Sequence, residues 1–287
     1  MTQIPIFPLR SVLCPGVALP LHIFEDRYRL MVNRCIERGE PFGVVFLREG
    51  HDVGPLRGSV AAVGTTAVIR RAGTYPDGRL DILTVGQQRF RLDDVDNVSE
   101  PYLLGTVTLL EEPTGAPDLV ADRAASVGQR FLEYLELLQP AGDAEGPEIE
   151  IEFEIEVEDD DAEAPATAET ETPTLDALLA AGDDGDEPEP IDAAEAAVRE
   201  LDAGDLPVEQ RRELLMAAAR RLTDTDDPTA LSYVLTALVQ VDLAARQDLL
   251  EAPDTAERLT MIEQLLSRES WFLRQGLRPI IVDPGQT

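Results

Sequence analysis

Residues 141–206 carry 25 Asp and Glu against a single basic residue, Arg199, with Ala, Pro and Gly filling the gaps. A stretch of that composition cannot bury enough apolar surface to offset the entropy of ordering its own backbone. It reads as an acidic insert, largely disordered, and whatever folds must be assembled from the residues on either side. The insert holds most of the chain's formal net charge of −32; the other 221 residues hold 31 acids and 23 arginines. One piece of it differs. Glu148 to Glu158 reads EIEIEFEIEVE, with Ile149, Ile151, Phe153, Ile155 and Val157 on one side of any strand and the glutamates on the other. Two readings stand: a solvated linker that happens to alternate, or a strand that adds to an exposed sheet edge. Leu175 to Leu179 and Ala193 to Leu201 are short helical candidates within the same stretch.

Before the insert, residues 3–112 read as mostly β with one helix. Ile4, Phe7 and Leu9 open an apolar segment punctuated by Pro5 and Pro8. Cys14-Pro15-Gly16 is a turn signal, and Val17 to Phe24 runs apolar into Glu25-Asp26. Tyr28, Met31, Val32, Cys35 and Ile36 then fall on one helical face, with Gly39 as a fitting terminator. Phe42 to Leu47 is a short buried strand, and Val60 to Arg71 is β-rich. Tyr75-Pro76-Asp77-Gly78 is a hairpin turn, since proline presets one dihedral and glycine accepts a positive one. Arg79 to Val85 returns as its partner, Gly86 breaks that strand, and Arg89 to Leu92 alternates. Tyr102 to Leu110 is another strand. Short strands with regular turn signals predict a closed or nearly closed β unit.

The period then changes. Val120, Ala124, Val127, Phe131, Tyr134 and Leu138 recur at four- and three-residue steps, so 117–139 is a helix with one apolar stripe. After the insert, Asp205 and Pro207 mark a start, with Leu215, Ala218 and Leu222 as the stripe. Asp227-Pro228 is an N-cap acid followed by proline at the first helical position, with Leu231, Val234, Leu235 and Leu238 facing inward. Asp254-Thr255-Ala256-Glu257 resembles a capping box with aspartate in place of Ser/Thr; Leu259, Ile262, Leu266 and Leu273 continue that helix. The domains expected are 1–113, β-rich; 117–139 plus 207–275, a bundle of about four helices; and 141–206, the insert.

All 24 basic residues are arginine. Without lysine there is no phosphate-gripping Walker loop, no serine–lysine pair and no Schiff base, and no G-x-S-x-G elbow is present. Cys14, Cys35, His22 and His51 are too few and too scattered for a structural zinc site. No cofactor and no metal is expected. The lone His22 lacks the nucleophile and orienting group that a general base requires, unless Cys14 lies near it. Nothing supplies a basic stripe for nucleic acid or anionic membrane. No apolar run approaches the roughly 20 residues that span a bilayer, and the N-terminus lacks signal-peptide features. The expected location is the cytoplasm, with reduced thiols.

The run IPIFPLRSVLCPGVALPLHIFEDRYRLMV resembles the opening of the Lon protease N-terminal, substrate-binding domain. The further pieces come in the family's order: F-G-V-V, G-T-x-A, the D-G-R hairpin, G-x-x-R-F-R and P-Y-L, then 227–269. The match covers most of residues 3–139 and 207–270. Cys14 stands where an aromatic is common, and the acidic insert is not part of the usual domain. The resemblance implies an α+β fold: a PUA-like β pseudo-barrel followed by an α-helical bundle. In full-length Lon proteases this region captures unfolded or tagged substrates, with ATPase and peptidase downstream. Here the expectation is a stand-alone, non-enzymatic module.

The partners that follow are unfolded or partly unfolded polypeptides, together with a protease or chaperone that the module serves as adaptor. The alternative is a regulatory protein acting through its insert, as an autoinhibitory strand, a nucleic-acid mimic or a weak cation binder. Candidate client-binding residues are His22, Phe24, Arg27 and Tyr28 around the helix start, and Arg89 and Phe90, which with Arg91 could present an arginine face with an aromatic beneath it. For each, core packing or a surface ion pair is the competing role.

Overall fold

The computed structural model describes residues 2–48, 59–138 and 227–277. The acidic stretch, its alternating segment, the helical candidates at 175–179, 193–201 and 207–222, and His51 lie outside the described residues. Six strands, β1 (Thr2–Leu9), β2 (Ala18–Ile23), β3 (Phe42–Phe46), β4 (Val63–Thr74), β5 (Leu80–Asp96) and β6 (Leu103–Leu109), form one sheet. Five helices are described: α1 (Asp26–Arg38), α2 (Pro117–Leu138), α3 (Pro228–Leu238), α4 (Leu243–Glu251) and α5 (Thr255–Arg274).

The sheet order is β2-β5-β4-β3-β1-β6, and β6 pairs again with β5. β5 makes this possible by its 17-residue length. Its first half, Leu80 to Val85, holds β2; its second half, Phe90 to Asp96, holds β6; β4 runs along its other side. The expected break at Gly86 is therefore a correction: the strand continues through it and changes partner there. β1 tolerates two prolines for a related reason. Ile6 to Leu9 pair with β3, whereas Thr2 to Ile6 pair with β6. Pro5 and Pro8 each fall where the strand has one partner, so a missing N–H leaves no ladder bond unmade on two sides.

The local signals are realised. α1 ends at Gly39, whose φ of 63° is left-handed. The 75–78 turn closes with the Gly78 N–H donating to the Tyr75 carbonyl at 2.9 Å, and Gly78 has φ 87°. Asp227 caps α3 by accepting from the N–H groups of Thr229 and Ala230, and Asp254 caps α5 by accepting from that of Glu257. Asp242 likewise caps α4, a helix that periodicity alone did not separate.

One apolar core lies between α1 and the sheet, including Phe7, Leu21, Tyr28, Met31 and Phe42. A second lies under Phe90, with Ile6, Val45 and Val107. The helices have their own core, with Val127, Phe131, Leu235, Leu259, Ile262 and Leu266. A fourth cluster joins the two halves: Val12, Cys14 and Phe46 from the β side meet Tyr233 and Leu250 from the helices. This junction explains a second correction. α3 is packed on two sides, so Tyr233 is buried while Leu238, expected to face inward, is 38% exposed. Among the described residues no helix is long and apolar enough to cross a membrane.

Candidate binding surfaces

The expected site residues divide into two groups. His22, Phe24 and Arg27 lie together on the outside, at the end of β2 and the start of α1. Tyr28 does not join them: it is buried, its ring 4.2 Å from that of Phe7. Phe90 is fully buried beneath the sheet. Arg89 is 2% exposed and committed to internal partners. Packing therefore accounts for Tyr28, Arg89 and Phe90, and the expected arginine face is split: Arg89 is turned into the junction, while Arg91 stays outside, paired with Asp93 at 2.7 Å.

The outer group is organised by strand register. His22 pairs across the ladder with Asp81, 59 positions away in the chain, and the two side chains meet at 2.6 Å between Nδ1 and Oδ1. The Tyr75 hydroxyl donates to the other oxygen of Asp81. The His22 ring also lies 5.9 Å from that of Tyr75 and 6.2 Å from that of Phe24, centroid to centroid. Arg27 donates from Nε to Glu25 at 2.7 Å and sits over the Tyr28 ring at 4.6 Å. Arg79 donates to Asp77 at 2.7 Å and covers the Tyr75 ring at 5.3 Å. The His22 side chain is 44% exposed. The result is a half-exposed aromatic patch whose charges are matched pair by pair. Asp81 and Tyr75 were missed in the sequence, since only the hairpin register brings them to His22.

The inner group is a buried polar lock. Glu112, in the connector between β6 and α2, accepts from Arg89 at 2.7 and 3.0 Å and from the Tyr233 hydroxyl at 2.5 Å. Arg89 also donates to the carbonyls of Leu250 and Ala252, both at 2.7 Å, closing the C-terminal end of α4. Arg258 is fully buried; it donates to Leu249 and Ser232, lies 3.7 Å from Glu112 and stacks 3.9 Å over the Tyr233 ring. Burial lowers the Arg258 pKa from its ordinary value and raises that of Tyr233, against which the nearby Arg258 pulls. Such a charge cluster is costly to desolvate and draws its partners from several elements at once, although Nη2 of Arg258 makes no hydrogen bond and meets Glu112 only at 3.7 Å.

Cys14 belongs to this junction, not to the outer patch. Burial pushes its thiol up to about 12, although Arg246, Arg258 and Arg89 draw it down. A thiol so placed is protonated and shielded at neutral pH, the opposite of an activated nucleophile. The conceivable Cys14–His22 pair is not assembled. Among the described residues no group of three or more His, Cys, Asp or Glu is placed to hold a metal.

A separate recess of about 420 Å³ opens at the start of β1 and the end of β6. Ile4, Pro41, Val107 and Leu109 line it with the amides of Gln87 and Gln88, and none of its lining side chains is charged.

The sequence model of the ATP-dependent protease La (LON) substrate-binding domain matches residues 3–268. The Lon protease of Flavobacterium johnsoniae is 33% identical over 111 residues, 38% of this chain and 14% of that protein. That of Parabacteroides distasonis is 34% identical over 110 residues, 38% of this chain and 13% of that protein. The chain thus matches only a small share of the length of these relatives. The solved N-terminal domain of Mycobacterium avium complex Lon protease is 16% identical and superposes with a TM-score of 0.50, covering 93% of this chain and 98% of that one. That likeness is one of fold.

Proposed function

The chain belongs to the LON substrate-binding domain family, and from that premise we propose that it is a non-catalytic module that recognises polypeptide substrates and serves as an adaptor in protein quality control. The observation that carries the reading is the family match itself, which runs from β1 into α5 and so takes in both halves of the molecule. The return of the strand order to β5 supports describing residues 1–113 as a PUA-like pseudo-barrel. The helical core supports grouping 117–138 with 227–275 as the bundle, residues 207–226 of the expected unit lying outside the described residues. The clients are unfolded or partly unfolded polypeptides, and the machine served is a protease or a chaperone. Of the six candidate contact residues, His22, Phe24 and Arg27 have the exposure that client contact requires. The deeply buried arginines act as structural groups in this reading.

The test is fluorescence anisotropy of the purified protein, without ATP, against one model protein presented unfolded and folded. Preference for the unfolded form is expected. Absence of binding to either, well above micromolar concentration, would remove the reading. A second reading is favoured by the alternation in Glu148 to Glu158, which resembles an extended client: the insert competes with clients for their surface. Deleting 141–206 then raises client affinity, and unchanged affinity excludes it.

A further inference from the structure

β2 has a partner on one side. It pairs with β5, and among the described residues nothing pairs with its other edge. Three facts fix which backbone groups point outward. The Val17 carbonyl accepts from the Gly86 N–H of β5. The Leu19 carbonyl accepts from the Thr84 hydroxyl of β5 at 2.8 Å. Pro20 has no N–H to give, as suits a position turned away from β5. Antiparallel pairs alternate, so Leu19, Leu21 and Ile23 bond inward. Ala18, Pro20 and His22 present three carbonyls and two N–H groups to the open side, repeating about every 6.8 Å. The buried side chains agree with this: Leu19, Leu21 and Ile23 are the ones in the core.

We infer that this open edge of β2 takes up the extended backbone of an unfolded polypeptide as an added strand, with His22 and Phe24 beside the occupant's side chains. The inference rests on the substrate-recognition reading above and locates its contact. Two features set the chemistry of the occupant. Backbone groups at strand spacing bind backbone, which every unfolded chain offers regardless of sequence. The arginines near this end of the sheet each meet an acid, Arg27 with Glu25, Arg29 with Asp26 and Arg79 with Asp77, and the His22 ring is hydrogen-bonded to Asp81. The strip therefore suits an uncharged or apolar segment, since each of these arginines already has an acid beside it. Pro20 removes one donor from the middle of the edge, which suits reversible capture over permanent strand stacking.

The probe is fluorescein-labelled, reduced and carboxamidomethylated α-lactalbumin, which stays unfolded and whose blocked cysteines carry no charge. Ala18→Pro deletes an outward N–H and leaves the inward ladder whole; Ala18→Gly is the control. Binding about tenfold weaker for Ala18→Pro, with Ala18→Gly close to the parent, is expected. Hydrogen exchange on the unaltered protein gives the independent measure: the probe should slow exchange of the Ala18 and His22 amides. If the parent binds the probe while Ala18→Pro binds equally and those amides are unchanged, the edge is not the contact and the recognition reading survives. If the parent does not bind, both fall. Protection of the same amides without probe, lost on dilution, would assign the edge to a second copy of the chain and overturn the inference.

Discussion

The β2 patch and the Glu112 junction are made from the same kinds of residue, an arginine or two, aromatic rings and a carboxylate, yet they are opposite in character. At the patch, His22, Arg27 and Arg79 each meet a neighbouring acid in contact with water. At the junction, Arg89 and Arg258 are buried and share Glu112 with Tyr233. Water reaches the first set and screens its pairs, most fully Arg79 with Asp77. Arg89 and Arg258 are sealed from it, so removing a partner from either strands a buried charge, while their shared Glu112 keeps 27% of its side chain exposed. Composition does not distinguish a surface from a lock; desolvation does.

The contrast can be broken most forcefully at Arg258. Arg258→Ala removes a fully buried cation, its stacking on Tyr233 and two hydrogen bonds, and should destabilise the protein by roughly 3–5 kcal/mol in urea unfolding. A loss below about 1 kcal/mol would mean the junction is not the lock described.

Alkaline pH strains the same region next. Burial holds the Cys14 thiol at about 12 against an ordinary 9.0, and burial likewise raises Tyr134 to about 12. A group raised in the folded state contributes fully below its unfolded value and loses that contribution as pH rises toward the folded one. Melting temperature should therefore fall between pH 9 and 12, and less steeply in Cys14→Ala. Equal slopes would separate Cys14 from the effect.

Tyr233→Phe is milder, since it deletes the hydroxyl bond to Glu112 and keeps the ring under Arg258; about 1–2 kcal/mol is expected. At the patch, Arg27→Ala should cost less stability than Tyr233→Phe, and under the substrate-recognition reading it weakens client binding in the anisotropy assay. A large stability loss there would show the patch to be structural as well.

Much of the architecture was legible along the chain. Period-two and period-3.6 patterns, the 75–78 turn, Gly39 and the Asp227 and Asp254 caps are local: each depends on residues within one or two turns, and each reappears in the fold. The helix at 243–251 was less visible because its apolar residues serve two neighbours and trace no single stripe. The candidate site was half legible. The Val17 to Phe24 run pointed to β2, but nothing along the chain announced Asp81 and Tyr75 as the partners of His22.

The sequence by itself determined the element types, their caps and turns, the mild charge of the flanking parts and the Lon-type opening, because these follow from short-range sterics and from which residues can afford burial. Only the tertiary structure decided that Arg27 stays at the surface while Arg89 is sealed in, and that β5 serves β2 and β6 in turn. Periodicity tells which face of an element turns inward; what covers that face is set by strand register and helix docking between residues far apart in the chain.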